Sequence, residues 1–457
     1  MCYQPNPMDQ LNIVRTDSQY SVGGNISGLS GTVYLENNNT NQQAFNSDGS
    51  YTFSNQLNNR QPYRVSVATQ PSGQTCMVSN GTGTMGSSNI TNVDVTCSNN
   101  NTTLKVSVDN LVLSVTGYNE YGIGNGQVVS GIPREIIITN DGSATAKNVT
   151  YSLSASLPND AKITSTCNSI SPNNTCKLTI TPGATPSAAV GDLYATPIIL
   201  SIAGSNTDTV KTNLSILAYG SYYQGGYVYA FDDTSPLDAS VGGKVVTTTD
   251  QAEAYPNGII WSSNGNSESE SKDIIPWIAE DNDFNSSYSY AKTIFDSTYS
   301  NTENFPFPPA DKFIDCNGAT DGKCNTSNIL VLYNTYNTNY NNGNELATGT
   351  TAPSYYAASK CTEKINDYTD WYLPAICEMG HDSKSGCGTQ DSPTLQNIQK
   401  SLREIVGWSE PNGYYWSSTE YSSAPQAAAW CQIFGSNQAN CGKELRLDVR
   451  CSRTFTP

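Results

Sequence analysis

The sequence predicts a multi-domain protein in which two all-β sandwiches precede an α+β domain. With 457 residues, the chain is too long for a single hydrophobic core. Up to about residue 218 it consists of short segments of alternating apolar and polar residues separated by turn residues, whereas all six tryptophans come later. We therefore predict an N-terminal tether at 1–19, a β-sandwich repeat at 20–99, a second sandwich at 103–218 and a C-terminal domain at 221–457.

The first β region shows the alternation of half-buried strands. Tyr63, Val65 and Val67 alternate with less apolar residues, and the turn sequence at 47–50 separates two strand-like segments. The last predicted strand brings Cys97 within reach of Cys76, which predicts a disulfide. The stretches at 20–24, 28–31 and 70–76 resemble a β-sandwich repeat of bacterial surface proteins, and this resemblance implies a spacer.

The second β region repeats this pattern. Leu104, Val106 and Val108 alternate with polar residues, and the Asn-Asp-Gly sequence at 140–142 predicts a hairpin whose returning strand includes Tyr151. Cys167 and Cys176 flank a turn-rich segment, so we expect a disulfide to close a second hairpin. The region resembles an immunoglobulin-like sandwich of the kind found along bacterial exoproteins.

Thirteen cysteines indicate export. No two have the C-x-x-C spacing of zinc ribbons or thioredoxin-type sites, and disulfides persist mainly outside the cytoplasm. We interpret twelve as six disulfides. Besides the two bridges above, the pairs that are close in sequence are Cys316–Cys324, Cys377–Cys387 and Cys431–Cys441.

Cys2 is the cysteine left over. A start of Met-Cys followed by polar residues is typical of a lipoprotein whose leader has been removed, so we expect Cys2 to carry a lipid. No apolar run is long enough to cross a bilayer, so this lipid would be the only membrane attachment. The localisation predicted is extracytoplasmic, either anchored at the outer membrane or secreted.

Charge and histidine content exclude several functions. The formal net charge is −17, of which −14 belongs to residues 221–457, and such a field repels nucleic acid. His381 is the only histidine, so a multi-histidine metal site is excluded. It lies in a polar loop, and no G-x-S-x-G motif is present, so serine hydrolase chemistry is unsupported. We expect no catalytic activity.

The C-terminal region mixes helical and strand patterns. A helix is predicted from Ser392 as its cap to Gly407, with Leu395, Ile398, Leu402 and Ile405 as its apolar stripe. A second helix is predicted at 354–366, and strands at 414–418 and 445–451. In the last strand, Leu445, Leu447, Val449 and Cys451 should point inward, with Arg446, Asp448 and Arg450 outward.

An ordered set of motifs in this region resembles the Lcl C-terminal-domain family, the head domain of a collagen-like adhesin. The matching stretches are 223–229, 258–261, 357–361, the Asp-Trp-Tyr-Leu-Pro motif at 370–374, Glu378, 415–420, 429–430 and 449–451. The resemblance implies an α+β fold similar to C-type lectins and formylglycine-generating enzymes. It also implies a Cys361–Cys451 disulfide and a homotrimer, although no coiled coil or collagen repeat here would enforce one.

This sequence departs from the family at two points. Tyr372 stands where the family has arginine. The collagen-like relative binds sulfated glycosaminoglycans, which requires a cationic surface, whereas this region is acidic; Lys443, Arg446, Arg450 and Arg453 cluster near its end, but acidic residues are interleaved. Sulfated-glycan binding is therefore not expected to transfer.

Two groups of residues are candidates for ligand binding. Tyr333, Tyr336 and Tyr340 have helical spacing, but their Asn- and Thr-rich surroundings predict a loop. Their rings could stack on sugar rings or could equally fill a core or line an interface. The other predicted contacts are Trp416, Arg446 and Arg450.

Asp281, Asp283 and Asn285 copy the start of a calcium loop. Ser286 and Lys292 replace the glycine and glutamate that an EF-hand needs, so only a non-EF calcium site remains open, and no other cofactor is expected. Asp232, Asp233 or Glu280 could contribute further ligands to it.

Three functions follow from these observations. The first is a surface or secreted adhesin, whose β-domain stalk presents a lectin-like head to a glycan or to a host or partner protein. The second is a structural subunit of a surface assembly. The third is a carboxylate-dependent glycoside hydrolase, because the separation of paired carboxylates is not visible in sequence.

Overall fold

The structure is a computed structural model. It describes residues 18–100, 102–117, 131–252, 257–261, 273–281, 283–298, 306–340 and 356–455, without the side chains of residues 41 and 335–340. The predicted lipidation of Cys2 and nearly all of the predicted tether lie outside the described residues. The described chain is β-rich, with few and mostly short helices.

The first β region forms two four-stranded sheets around one apolar core. Their orders are β5-β2-β10-β8 and β4-β3-β7-β9, and β1 pairs with β6. Tyr63 and Val65 of β7 are buried, as the alternation predicts. The turn at 47–50 joins β4 to β5, which lie in different sheets, so the chain crosses the core there. The strands are β1 Gln19–Tyr20, β2 Gly23–Ser27, β3 Val33–Asn37, β4 Thr40–Phe45, β5 Gly49–Thr52, β6 Leu57–Asn58, β7 Pro62–Thr69, β8 Gln74–Val78, β9 Thr82–Thr84 and β10 Val95–Asn99.

The second β region also has two four-stranded sheets, ordered β11-β13-β16-β15 and β12-β18-β17-β14. The hairpin predicted at 140–142 is wrong, because β13 and β14 lie in different sheets. The Asn140 side chain is buried and donates to the carbonyls of Ala144 and Ile170, which fixes the chain as it crosses. The strands are β11 Leu104–Val106, β12 Asn110–Ser114, β13 Arg134–Asn140, β14 Thr150–Leu153, β15 Lys162–Ser165, β16 Thr175–Thr181, β17 Ile198–Ala203 and β18 Val210–Leu217.

The C-terminal region contains two further sheets, ordered β19-β20-β21-β25 and β22-β23-β24. The predicted strand at 414–418 is confirmed within β22. The strand predicted at 445–451 is wrong: Leu447 and Asp448 form only isolated bridges, and β25 begins at Ser452. The strands are β19 Tyr222–Tyr223, β20 Gly226–Asp232, β21 Gly242–Thr247, β22 Gly413–Glu420, β23 Ala428–Phe434, β24 Gln438–Gly442 and β25 Ser452–Phe455.

Short helices pack against both of these sheets. The helix predicted from Ser392 begins only at Ile398 and continues as a π-helix at Gln399–Ile405, because Pro393 pairs with Gly388 instead of opening a helix. The helix predicted at 354–366 is shortened to α3. No described helix is long and apolar enough to cross a lipid bilayer. The α-helices are α1 Tyr288–Thr298, α2 Gly322–Tyr340, α3 Ala357–Lys360 and α4 Ile376–Met379. Short 3-10 helices lie at Phe284–Ser286, Ala310–Lys312 and Ser383–Ser385.

Six disulfides join the twelve described cysteines, and the pairs are those that the sequence and the family resemblance predict. Five close segments of 8 to 21 residues, whereas Cys361–Cys451 spans 90 residues and ties the end of α3 to the start of β25. Such bridges persist in oxidising compartments, so the protein is extracytoplasmic. The bonds are Cys76–Cys97, Cys167–Cys176, Cys316–Cys324, Cys361–Cys451, Cys377–Cys387 and Cys431–Cys441.

Candidate binding site

The second β region and the C-terminal region meet in an extensive junction. The backbone N–H of Val241 donates to the carbonyl of Val112 on β12 (2.9 Å), and the Ser240 hydroxyl accepts from the Val112 N–H (2.9 Å). Val112 and Leu217 also pack into the apolar core of the C-terminal region. The junction is therefore a packed interface rather than a loose linker.

A buried ion pair lies within this junction. Arg134, at the start of β13, is 1% exposed, and its guanidinium contacts the Asp233 carboxylate just after β20. The same guanidinium donates to the carbonyls of Ser235 and Ala239 (3.0 Å each). One side chain from the β region thus holds the loop that follows β20.

A cavity of about 240 Å³ opens beside the junction, and a second, of about 450 Å³, adjoins it. The two cavities share Asn110, Tyr223 and Gln224, so they lie side by side, and together they are called the cleft here. β12, β18 and the segment between β16 and β17 line it from the second β region, and tyrosines line it from the C-terminal region. Polar and aromatic side chains in its lining include Asn110, Asn213, Ser221, Tyr222, Gln224 and Tyr368.

The tight turn at 224–225 positions Gln224 and the nearby Tyr222. Gln224 and Gly225 have φ of 44° and 91° and connect β19 to β20, as a two-residue type I′ hairpin requires. A Cβ at Gly225 would lie 2.9 Å from the Tyr368 ring, so glycine is needed there for space as well as for φ. The Arg453 side chain donates to Gln224 Oε1 (2.8 Å) and holds this amide in place.

A second turn of the same kind positions Tyr368. Asn366 and Asp367 have φ of 47° and 69°, and Ile365 and Tyr368 pair across them. The Asn366 amide donates to the carbonyl of Gly225 (2.8 Å), which links the two turns. The paired turns bring Tyr368 to the same part of the cleft as Tyr222 and Tyr223, from which it is far apart in sequence.

Most predicted ligand-contact residues do not lie in this cleft. Tyr333 is part of α2, so the predicted loop is wrong, and its side chain is 0% exposed against the Tyr356 ring (4.6 Å between centroids). Trp416 is also 0% exposed and donates to the carbonyl of Ile259 (2.8 Å). Both predictions are wrong because these aromatics fill the core. The side chains of Tyr336 and Tyr340 lie outside the described part of the chain.

The cationic residues that cluster near the end of the sequence, between 443 and 453, make separate contacts in the structure. Arg450 was expected to face outward, but it is 7% exposed, pairs with Asp250 and donates to the Thr247 carbonyl (2.7 Å). Arg446 is exposed and lies outside the cleft. The prediction that Arg450 contacts a ligand is therefore wrong, since its charge is already compensated inside the protein.

Of the predicted calcium residues, Asp283 caps a short helix that contains Asn285, and Asp281 precedes it. The Asp283 carboxylate accepts the backbone N–H groups of Asn285 (2.8 Å) and Ser286 (3.3 Å) at the start of a 3-10 helix. Two proposed additional ligands are also engaged: Asp233 pairs with Arg134, and Glu280 accepts from Ser422. In the described ranges, no group of three acidic, cysteine or histidine side chains is placed to hold a metal ion.

The motif residues of the family resemblance have structural roles. The Glu378 carboxylate is 1% exposed and contacts the Lys244 ammonium. It also accepts from the Tyr372 hydroxyl (2.9 Å) and from the backbone N–H of Ala375 (2.8 Å). Burial disfavours the charged form of Lys244, but the Glu378 carboxylate outweighs this and raises the lysine pKa. The motif therefore anchors α4 to β21.

A second buried pair joins β22 to the segment after β24. Lys443 donates to the Glu420 carboxylate (2.6 Å) and to the carbonyl of Asp273 (2.7 Å), and its ammonium lies 4.3 Å from the centroid of the Trp261 ring. Both charged side chains are completely buried. Burial raises the pKa of Glu420 from its usual 4.5 to about 7, although Lys443 acts in the opposite direction.

This pair predicts a pH-dependent stability. The folded-state pKa of Glu420 exceeds the unfolded value. The contribution of Glu420 to the free energy of unfolding is therefore largest below about pH 4.5 and is lost as the pH rises through about 7. The shift corresponds to about 3 kcal/mol. We expect Glu420→Gln to flatten the dependence of unfolding free energy on pH between 5 and 7.5. Urea unfolding followed by tryptophan fluorescence reports on the C-terminal region, which holds all six tryptophans. An unchanged slope in the variant would contradict the assignment.

The cleft could not be identified from the sequence alone. Its lining comes from β12, the segment at 187–197, β18, residues 221–224 and Tyr368, which are mostly distant along the chain. One signal was available: Gly225, Asn366 and Asp367 are residue types that tolerate the positive φ of tight turns. Which tyrosines those turns bring together depends on the tertiary packing.

Comparisons with known proteins give distant similarities. No protein-family model and no curated protein match the sequence. The periplasmic chaperone SfaE is similar at 8% identity and a TM-score of 0.18, over 27% of this chain and 60% of its own. Domains 4 and 5 of the S-layer protein SbsC are similar at 12% identity and a TM-score of 0.17, over 41% of this chain and 100% of theirs. BcpA, the major pilin subunit of Bacillus cereus, is similar at 10% identity and a TM-score of 0.18, over 54% of this chain and 80% of its own. These TM-scores are too low to support functional inference, so function must be inferred from the chain's own residues.

Proposed function

We propose that this chain is a bacterial cell-surface or secreted adhesin. Two immunoglobulin-like sandwiches form a stalk, and a C-type-lectin-like head of the Lcl type follows them. The stalk is supported by two pairs of four-stranded sheets, each pair around its own core. The head is supported by the order of its motifs and by the Cys361–Cys451 bridge. A lipid at Cys2 would anchor the stalk at the outer membrane.

The observation that carries this proposal is the cleft where stalk and head meet. Tyr222 and Tyr368 are half-buried on its wall, and the amides of Asn110, Asn213 and Gln224 lie beside them. Aromatic faces together with directional amide groups suit sugar rings, which have apolar C–H faces and hydroxyl edges. The ligand class that we propose is therefore a glycan.

A glycan array tests the proposal directly. We expect the wild-type chain to bind a subset of glycans, and Tyr222→Ala to weaken that binding by at least about tenfold, a loss of about 1.4 kcal/mol. The control is Tyr34→Ala, which removes an exposed tyrosine of β3 in the first β region. Both variants should unfold at nearly the wild-type midpoint. A wild-type chain that binds no glycan, or a Tyr34→Ala variant with the same loss, would contradict the proposal.

A further inference from the structure

We infer that the junction cleft selects an uncharged saccharide and discriminates against sulfated and uronic ones. The inference rests on the proposed function and concerns the ligand class of the same cleft. Four properties of the cleft carry it: the charge of its lining, the partners of the nearest cation, the hydrogen-bonding groups that remain, and its size.

The lining contains no cation to compensate an anionic ligand. Around the smaller cavity the side chains are apolar, hydroxyl or amide groups and tyrosines. The larger cavity adds one carboxylate, Asp109. In a chain of net charge −17, a sulfate or carboxylate moved into this cleft would lose hydration without gaining an opposite charge.

The cation that approaches the cleft is already engaged. Arg453 pairs with Asp370, donates to Gln224 and has its guanidinium carbon 3.9 Å from the centroid of the Tyr368 ring. Its charge is compensated by Asp370, and its planar group stacks against a tyrosine. Arg453 therefore orders the cleft wall and leaves no uncompensated positive charge there.

Hydroxyl and amide groups remain for a neutral ligand. The hydroxyls of Tyr222 and Tyr368 form no hydrogen bond to any described residue. Asn110 accepts from Asn213 (2.8 Å), which leaves the Asn110 N–H groups and the Asn213 oxygen for a ligand. The Ser221 oxygen accepts from the backbone of Ala218 (2.9 Å), so its hydroxyl can still donate. This mixture of donors and acceptors matches sugar hydroxyls, which act as both.

The size of the cleft favours the end of an oligosaccharide. The smaller cavity, about 240 Å³, lies just below the roughly 300–1,000 Å³ of sites for drug-sized ligands and suits a single ring. The adjoining cavity, about 450 Å³, begins at the residues that the two share, so further sugar units would lie there.

The experiment compares matched ligands on the full chain. Neutral oligosaccharides and the same oligosaccharides carrying a terminal sulfate or uronate are titrated by calorimetry at low and high salt. We expect the neutral forms to bind at least about tenfold more tightly than the charged forms. Their affinity should change little with salt, because no ionic contact is made. Tyr368→Phe, which removes only the hydroxyl, should weaken neutral binding severalfold, whereas Tyr34→Ala should leave it unchanged.

The outcomes separate this inference from the proposed function. Equal or tighter binding of the sulfated or uronic forms, lost in Tyr368→Ala, would overturn the inference and leave a glycan-binding cleft in place. Neutral binding that is unaffected by both Tyr368→Phe and Tyr368→Ala would also overturn it, because the ligand would then lie elsewhere. Binding of no glycan of either kind would overturn the proposed function itself.

Discussion

Replacing Cys361 and Cys451 together with alanine is expected to lower the free energy of unfolding of the C-terminal region by about 4.6 kcal/mol. The bond spans 90 residues, and a cross-link of that length removes much of the conformational freedom of the unfolded chain. Its loss should also release the end of α3 from β25. Urea unfolding monitored by tryptophan fluorescence measures the effect on this region.

The Cys431–Cys441 bridge provides a matched control. It lies in the same region, its cysteines are also buried, and it spans only 10 residues. Replacing both of these cysteines with alanine should lower the free energy of unfolding by about 2.7 kcal/mol, from the same relation between loop length and entropy. The difference between the two variants, about 2 kcal/mol, is the quantity that depends on loop length. Equal losses in both would show that chain entropy is not what the long bridge contributes.

Asp233→Ala is expected to destabilise the junction by about 3–5 kcal/mol. The substitution leaves the Arg134 guanidinium buried without its carboxylate, and the three carbonyls that remain, of Ser235, Pro236 and Ala239, do not carry a compensating charge. Unfolding of the full chain, followed by tryptophan fluorescence and by far-ultraviolet circular dichroism, measures the loss on both sides of the junction.

A double replacement distinguishes the charge from the packing. Arg134→Met combined with Asp233→Leu removes both charges and retains apolar volume, so it should cost much less than Asp233→Ala alone. If the double variant is as unstable as the single one, the buried charge is not the reason for the loss. If Asp233→Ala costs less than about 1 kcal/mol, the pair does not hold the junction in the way that its burial implies.

Local patterns predict the β-rich part of the fold well. Tyr63 and Val65 alternate and are buried, and each cysteine pair that is close in sequence forms its disulfide. Such features depend on neighbours within about twenty residues. The prediction at Asn140 is wrong because a hairpin and a crossing between sheets use the same turn residues. The two differ only in whether the next strand joins the same sheet or the opposite one, as β14 does here.

The segment before β25 shows why the candidate site was less predictable. Alternation suggested that Asp448 and Arg450 face solvent, but both are buried, and Arg450 pairs with Asp250, 200 residues away. Aromatic residues were similarly ambiguous. Trp416 and Tyr222 are both large and amphipathic, yet one fills the core and the other lines the cleft, since packing between distant segments decides which ring remains accessible.

The parallel pairing of β12 with β18 has a mechanical consequence. β18 leads directly into the junction at Ala218, and its neighbours β12 and β17 pair with it along most of its length. Tension applied between the C-terminal region and the preceding region therefore enters the sheet along the axis of β18. Its backbone hydrogen bonds lie across that axis and would be sheared together instead of being unzipped singly, so the sheet resists a pull on the C-terminal region without losing the strand that leads into it.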